Sequence, residues 1–151
     1  MQAQLKGAHH SAAVAVLQGA GLEDLLKGRA VTPRYVLLDR DGTINVDVHY
    51  LSDPDSLRLE RDAVAGLKLL SGAGFRFAVL TNQSGIARGF LTEARLQEIH
   101  ARLDDMLALE QIRIDGYFFC PHSPSDGCGC RKPLPGLALE AARVLDFDLS
   151  A

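Results

Sequence analysis

The chain has no tryptophan, only three cysteines among its 151 residues, and no large excess of charge of either sign. Its formal net charge of -3 gives no general attraction to nucleic acid or to an anionic membrane surface. No apolar run approaches the roughly 20 residues that a membrane-spanning helix needs, and no clear signal-peptide pattern is found. We therefore expect a cytoplasmic protein that binds neither nucleic acid nor membrane.

The composition is that of an ordinary globular protein, with 47% hydrophobic and 23% charged residues. A chain of this length has room for one domain and not comfortably for two. Residues 1–33 are rich in Ala, Gly and Leu and predict an extension that is weakly ordered or helical. Residues 34–151 predict the folded domain.

Continuous apolar runs in residues 34–151 predict strands that are buried on both faces. Such a run occurs at Tyr35–Leu38. Phe75–Leu80, which is apolar apart from Arg76, predicts a second buried strand, and Tyr117–Phe119 predicts a third, shorter one. Segments with helical spacing of apolar residues alternate with these runs. The alternation predicts an α/β fold, a Rossmann-like three-layer sandwich with a central parallel sheet.

Three helices are predicted between and after these strands. Asp62 and Thr92 are candidate N-caps of the first two helices, and Pro135 stands where the third helix should begin. One face of the second helix should carry Leu96, Ile99, Leu103 and Met106 or Leu107. His100 on that helix has no set of metal-ligating partners nearby in sequence and is expected at the surface.

Polar residues follow each predicted strand, and in a parallel sheet these segments meet at one edge, where ligands bind. Asp39 and Asp41 follow the first strand, and Gly42 allows the backbone to turn there. Two such carboxyl groups suit a nucleophile and a general acid–base, and their oxygens suit magnesium. The alternative interpretation of these residues is a turn stabilised by an Asx hydrogen bond.

The later polar segments offer groups that could bind an anion. Thr81 and Asn82 supply a hydroxyl and an amide, and the turn at Ser84-Gly85 could present backbone N–H groups to an anion. Arg131 and Lys132 could neutralise a phosphoryl group. The alternatives are an ordinary turn and a solvated basic pair.

All three cysteines lie within eleven positions and form the pattern C-x-H-x5-C-x-C with one histidine. Three thiolates and an imidazole, from Cys120, His122, Cys128 and Cys130, would fill a tetrahedral zinc ion and leave no open position. The pattern therefore predicts a structural zinc site. A coincidental histidine beside free thiols is the alternative.

Together and in this order, these motifs resemble the haloacid dehalogenase superfamily, in its small and nearly capless phosphatase branch. The resemblance rests on residues 39–45, residues 81–85, the cysteine cluster and Arg131-Lys132-Pro133, and it spans about residues 33–145. Within the superfamily the motifs look like those of the heptose bisphosphate phosphatases, and residues 45–50 look like their substrate loop. The histidinol-phosphate phosphatases are a sister group with the same signature and zinc loop.

The resemblance implies a magnesium-dependent phosphatase that removes the 7-phosphate of D-glycero-D-manno-heptose 1,7-bisphosphate, a small sugar phosphate used in heptose and lipopolysaccharide biosynthesis. Asp39 would form an aspartyl phosphate, Asp41 would act as acid and base, and Thr81 and Lys132 would stabilise the phosphoryl group. Magnesium would bind the Asp39 carboxylate and the Asp41 backbone carbonyl. The residues implied in substrate binding are Arg40, Asp47, Val48, His49, Tyr50, Asn82, Gln83, Ser84 and Arg131.

Two departures from the family pattern affect these expectations. The family often has Gly where this chain has His49, and it continues past the last helix into a strand whose acidic residues complete the magnesium site. This sequence ends at Ala151. We therefore expect a C-terminally truncated sheet, which could promote association of an otherwise monomeric protein. A histidinol-phosphate or other small phosphomonoester phosphatase and an inactive zinc-stabilised binding domain remain as alternatives.

Overall fold

The computed structural model describes residues 33–150, in which strands and helices alternate along the chain. The expectations for residues 1–32 lie outside the described residues. None of the helices in this described part is long and apolar enough to cross a membrane. The elements are strand β1 (Arg34–Leu38), a 3₁₀ turn (Pro54–Ser56), helix α1 (Ala63–Gly72), β2 (Phe75–Asn82), α2 (Glu93–Ala108), β3 (Ile114–Cys120) and α3 (Gly136–Leu145).

Strand β2 is the centre of a three-stranded sheet and pairs in parallel with both neighbours. On one side its Val79 is opposite Leu38 at the end of β1, and on the other its Asn82 is opposite Cys120 at the end of β3. Because both pairings are parallel, the three carboxyl ends lie at the same edge of the sheet. This arrangement confirms the predicted parallel sheet.

The alternating side chains of β2 build two hydrophobic layers, one on each face of the sheet. Phe77 and Val79 pack into the cluster that contains the buried residues of α1 and α2. Ala78 and Leu80 pack into the cluster that contains the buried residues of α3. The helices thus cover both faces, which confirms the predicted three-layer α/β sandwich and explains why β2 is apolar and buried from Phe77 to Leu80.

The helix ends agree with the sequence at two positions and differ at the third. The Thr92 side chain accepts a hydrogen bond from the Arg95 amide, so it caps α2 as predicted. Pro135 directly precedes α3. The prediction for Asp62 is wrong: its backbone is left-handed, with φ of 65°, and its side chain makes no capping hydrogen bond. In that conformation the carboxylate does not reach the first amides of α1.

The first residue of α3, Gly136, lies directly against the backbone of the cysteine-containing loop. A Cβ atom at this position would overlap the carbonyl oxygen of Gly129 and lie 2.9 Å from the Cα atom of Cys130. Backbone atoms cannot rotate away as a side chain can. The close approach therefore requires glycine at position 136.

We expect Gly136→Ala to lower the free energy of unfolding by at least about 1–3 kcal/mol, because the new methyl group overpacks against backbone. The matched control is Gly66→Ala within α1, where a Cβ meets nothing within 4 Å. That change should raise stability by about 0.5–1 kcal/mol through helix propensity. Urea unfolding of the two variants measures both effects, and equal stabilities would contradict the expected packing.

Candidate active site

A cavity of about 260 Å³ opens at the edge of the sheet where the carboxyl ends of the strands meet. It lies between the segment after β1 and the segment that ends β2. The aspartates, the hydroxyl and the amides predicted to converge therefore share one space. The lining residues are Asp39, Asp41, Asp47, His49, Tyr50, Leu51, Thr81, Asn82, Gln83, Ser84 and Gly85.

Asp39 directly follows β1, and its carboxylate is bound on both oxygens. Oδ1 accepts a hydrogen bond of 2.8 Å from the Arg40 amide, and Oδ2 lies 2.7 Å from Nζ of Lys132. The Lys132 ammonium also donates to the Leu80 carbonyl at 2.7 Å. The side chain of Asp39 is 47% exposed, so the carboxylate is open to a ligand while Lys132 holds positive charge beside it.

Asp41 is surrounded by buried hydrogen-bond donors. Its Oδ1 accepts from Arg40 Nε at 3.2 Å and from Asn45 Nδ2 at 2.9 Å, and its Oδ2 accepts from Arg40 Nη2 and Gln83 Nε2 at 2.9 and 2.8 Å. Gly42, with φ of 73°, makes the turn that brings the Asn45 side chain back to Asp41. These bonds fix the orientation of Asp41 far more tightly than that of Asp39. Sequence analysis placed Asn45 in the segment that resembles the substrate loop but did not predict that it bonds to Asp41.

The amides at the end of β2 connect parts of the site to one another. Gln83 Nε2 donates to both Asp41 Oδ2 and Thr81 Oγ1, at 2.8 Å each. Asn82 makes two hydrogen bonds with the backbone of Lys132, at 3.0 and 3.2 Å. Both residues line the cavity as expected for substrate binding. Their hydrogen bonds add a second task, which is to position Asp41, Thr81 and Lys132.

Asp47, His49 and Tyr50 form one rim of the cavity. His49 and Tyr50 have φ of 52° and 63°, and the His49 amide donates to Asp47 Oδ1 at 2.9 Å. Left-handed backbone favours glycine, which gives a physical reason for glycine in the family at the position of His49. The Tyr50 ring packs against Gly85, where a Cβ atom would lie 3.0 Å from it. Ser84 lies beside this contact.

Three residues predicted to contact substrate do not line the cavity. Arg40 is 1% exposed and its guanidinium is bound to Asp41, which corrects the prediction of a substrate contact through that side chain. Arg131 donates to the His122 carbonyl at 3.2 Å, toward the cysteine-containing loop. Val48 is 50% exposed at the surface. The structure brings the other predicted site residues together.

The expectation that His100 lies at the surface is wrong. It is 7% exposed, its Nε2 atom lies 3.3 Å from Nη1 of Arg40, and its ring stacks on Tyr117 with 4.2 Å between centroids. Burial, aided by the Arg40 charge, lowers the pKa of His100 to about 3. The signal was present in the sequence: His100 is four residues after Leu96 and three before Leu103, on the face of α2 that is buried.

The four predicted zinc ligands form one cluster at the end of β3, whose last residue is Cys120. The ligand atoms of Cys120, His122, Cys128 and Cys130 all lie within 4.8 Å of one another. The Cys120 sulfur lies 3.5 Å from the Cys128 sulfur and 3.2 Å from the Cys130 sulfur, and Nδ1 of His122 lies 3.3 Å from the Cys130 sulfur. Ligands of tetrahedral zinc are about 3.6–3.8 Å apart. The cluster could therefore hold a metal ion with little movement.

The residues at the cavity also fit a magnesium ion in the chemistry of their donors. The Asp39 carboxylate is exposed and supplies hard oxygen ligands. The backbone hydrogen bonds of the turn at residues 40–45 use the carbonyls of Arg40 and Asn45 but not that of Asp41. The Asp41 carbonyl is thus available as a ligand, whereas its carboxylate is already occupied by donors from the protein.

No protein-family model matches the chain. Its fold is that of the haloacid dehalogenase-like phosphatases. The structure of D,D-heptose 1,7-bisphosphate phosphatase from B. bronchiseptica, complexed with magnesium and phosphate, is similar with a TM-score of 0.70 and 39% identity, over 77% of this chain and 65% of that one.

Two curated relatives identify the family within this class of phosphatases to which the chain belongs. The chain is 41% identical over 114 residues to a probable D-glycero-D-manno-heptose-1,7-bisphosphate 7-phosphatase from Thermoplasma volcanium, covering 76% of this chain and 78% of the relative. It is 40% identical over 123 residues to the D-glycero-beta-D-manno-heptose-1,7-bisphosphate 7-phosphatase of Yersinia pestis, covering 77% of this chain. The chain belongs to this heptose bisphosphate phosphatase family, and it spans 65% of the length of the Yersinia relative.

The buried imidazole of His100 predicts a loss of stability in mild acid. Its pKa falls from 6.5 to about 3 on folding, so between these pH values only the unfolded chain takes up the proton. Stability must therefore fall as the pH drops through this window, by about 2 kcal/mol between pH 7.5 and pH 5. Urea unfolding at pH 7.5 and pH 5 should show that the native chain loses about 2 kcal/mol more stability than His100→Gln, whose amide does not titrate. Equal losses in the two proteins would contradict a neutral, buried His100.

Proposed function

We propose that the protein is a magnesium-dependent phosphatase that removes the 7-phosphate of D-glycero-D-manno-heptose 1,7-bisphosphate, in the synthesis of heptose for lipopolysaccharide. The observation that carries the proposal is the juxtaposition in one cavity of an exposed Asp39, paired with Lys132 at 2.7 Å, and a rigidly held Asp41. The names of the relatives support the assignment of the substrate. This chain covers about two thirds of the length of several of them.

In the first step Asp39 attacks phosphorus, and the bond from phosphorus to the sugar oxygen breaks. The phosphoryl group is then carried on the Asp39 carboxylate, and Asp41 gives its proton to the departing sugar oxygen. Lys132 and the Thr81 hydroxyl balance the charge of the phosphoryl oxygens. The short bond between Lys132 and Leu80 supports this role, because it keeps the ammonium at the cavity when Asp39 no longer pairs with it.

In the second step water attacks the phosphorus of the aspartyl phosphate, and Asp41 takes the proton from that water. The bond between Asp39 and phosphorus breaks, which releases inorganic phosphate and restores the carboxylate. Gln83 and Asn45 keep Asp41 in one orientation during both steps. Most of the catalytic gain in such a reaction comes from positioning and charge neutralisation.

The Asp39 carboxylate and the Asp41 backbone carbonyl would hold the magnesium ion. When bound, magnesium neutralises charge on the phosphoryl oxygens and orients them toward Asp39. The B. bronchiseptica relative was solved with magnesium and phosphate, which supports this assignment. The arrangement also explains why Asp41 can serve as acid and base while its backbone binds metal.

The sugar would lie against the rim formed by Asp47, His49 and Tyr50. These groups line the cavity and offer a carboxylate, an imidazole and a phenol to the hydroxyl groups of a sugar. Ser84 and Asn82 would complete the polar lining. A cavity of about 260 Å³ accommodates part of a small sugar phosphate and leaves the rest at its open mouth.

We further propose that Cys120, His122, Cys128 and Cys130 bind a structural zinc ion. The loop that carries them has few apolar residues to stabilise it, and it leads directly to Lys132. Hydrogen bonds from Cys120 and Cys130 lower the pKa of the Cys128 thiol against the effect of burial, whereas burial and the neighbouring cysteines raise the pKa of the Cys130 thiol. Zinc binding would therefore have to displace the Cys130 proton, while the Cys128 thiolate forms more readily. Zinc would therefore fix the position of Lys132.

We expect Asp39→Asn to abolish phosphate release, because an amide oxygen is a poor nucleophile and forms no stable phosphoenzyme. The reduction in kcat should be at least about 10³-fold with heptose bisphosphate and magnesium, measured as inorganic phosphate released. Wild-type release should stop when magnesium is withheld.

The matched control for Asp39→Asn is Asp105→Asn, the same chemical change at an exposed position of α2, which should leave kcat unchanged. Turnover that survives in Asp39→Asn would reject the nucleophile. A higher kcat/KM for histidinol phosphate would change the substrate and keep the chemistry. A well-folded wild-type chain without phosphatase activity would favour the binding-domain alternative.

Removal of the metal should destabilise the protein if the cysteine cluster binds zinc. We expect one zinc ion per chain by elemental analysis, and a decrease in Tm of roughly 10 °C or more on chelation, since loss of a structural zinc costs several kcal/mol. Cys128→Ser should reproduce that decrease and lower the zinc content. Ser125→Ala, in the same loop but without a ligand atom, should retain zinc. A metal-free wild type whose Tm is unaffected by chelator would exclude the site.

A further inference from the structure

The Arg40 guanidinium is a fully buried charge that contacts two side chains, those of Asp41 and His100. Its exposure is 1%, and three of its contacts go to the two oxygens of Asp41, at 2.9 to 3.2 Å. This fork would fix the orientation of the carboxylate. The remaining nitrogen, Nη1, lies 3.3 Å from Nε2 of His100. His100 is therefore the group that limits rotation of the guanidinium on the side away from Asp41.

The contact between Arg40 and His100 determines which ring nitrogen of His100 carries the proton. A guanidinium has no lone pair and can only donate, so Nε2 of His100 must accept. The ring is then neutral with its proton on Nδ1. The charges around this ring are those of Arg40 and Asp41, and the lowered pKa of His100 agrees with a neutral ring.

The plane of the His100 ring is fixed from the other side by β3. The ring stacks on Tyr117 at an angle of 14°, and the Tyr117 hydroxyl donates to Asp104 of α2 at 2.7 Å. The stack thus holds the plane of the imidazole, and within that plane the contact with Arg40 favours the ring orientation that places Nε2 beside Nη1. The Tyr117 ring, His100, Arg40 and Asp41 are thus in contact in series, and the Tyr117 hydroxyl is not part of this series.

We propose that His100 is a positioning residue for Asp41, which acts by accepting a hydrogen bond from Arg40. The proposal deepens the proposed function, because it assigns part of the precision of the acid–base carboxylate to a residue outside the cavity. Neither His100 nor Arg40 lines that cavity. Loss of the acceptor should therefore lower kcat and leave KM nearly unchanged.

Two variants of His100 separate the acceptor from the ring. His100→Phe keeps an aromatic ring to stack on Tyr117 but removes the acceptor, and it should lower kcat about 10- to 100-fold while KM changes less than about two-fold. His100→Gln loses the ring but keeps an acceptor oxygen, and it should recover at least about half of that loss on a logarithmic scale. Tyr117→Phe, which keeps the stack, serves as the control with unchanged kcat.

A merely structural role of His100 predicts a different pattern. Both His100 variants would then lose Tm and activity together, the glutamine at least as much as the phenylalanine, and that outcome would overturn the proposal. If His100→Phe does not fold, the comparison of His100→Gln with the native chain and the measurement below still decide the question.

Nuclear magnetic resonance tests the same contact without relying on activity. The ¹⁵N shifts of His100 in the native chain should show the Nδ1-protonated neutral tautomer, unchanged from pH 8 to pH 5. The ¹³Cγ resonance of Asp41 should move in His100→Phe and stay in place in Tyr117→Phe. A proton on Nε2, or an Asp41 resonance that ignores the His100 variants, would overturn the proposal. A native chain that releases no phosphate would instead refute the proposed function alone, since these signals report on Asp41 directly.

Discussion

Parallel pairing of β2 with both neighbouring strands is the constraint on which the arrangement of the site depends. The two ladders bring the end of β1 and the end of β3 to the end of β2. Asp39 then follows one outer strand, Thr81 and Asn82 end the central strand, and Lys132 returns from the segment after the other outer strand. The Asn82 side chain completes the alignment, because it donates to the Lys132 carbonyl and accepts from the Lys132 amide.

The site gives two aspartates of the same short motif different surroundings. Asp39 is half exposed and faces the Lys132 ammonium, whose pairing can be exchanged for that of a ligand. Asp41 is held by donors from Arg40, Asn45 and Gln83, all of them buried. An exposed carboxylate is suited to attack, and an immobilised one is suited to repeated proton transfer in a fixed direction. This difference in surroundings is the physical basis of the different roles that we propose for the two residues.

Much of the fold and the clustering of the site could be predicted from the sequence, because strand burial, the Thr92 cap and the convergence of strand ends depend on local pattern and on general sheet geometry. The failures have physical reasons of their own. The left-handed backbone of Asp62 is set by its loop. The partners of Gln83 and Arg40 are reached through packing, with Gln83 and Asp41 42 positions apart. The burial of His100 follows from its spacing on α2 and was overlooked, whereas its pairing with Arg40 across 60 positions is encoded by no local pattern. The roles of the individual site residues remain predictions.

The contact between Tyr50 and Gly85 has a consequence for how substrate preference can evolve. Neither residue bonds to Asp39 or Asp41, so mutations at this rim can alter which molecule fits while the reactive groups stay in place. The two positions are not free to vary separately, however, since a Cβ at position 85 would lie 3.0 Å from the Tyr50 ring. A side chain at position 85 therefore requires either a shift of the Tyr50 ring or a smaller residue at position 50. Substitutions at the two positions should be coupled when the substrate preference of this lineage diversifies.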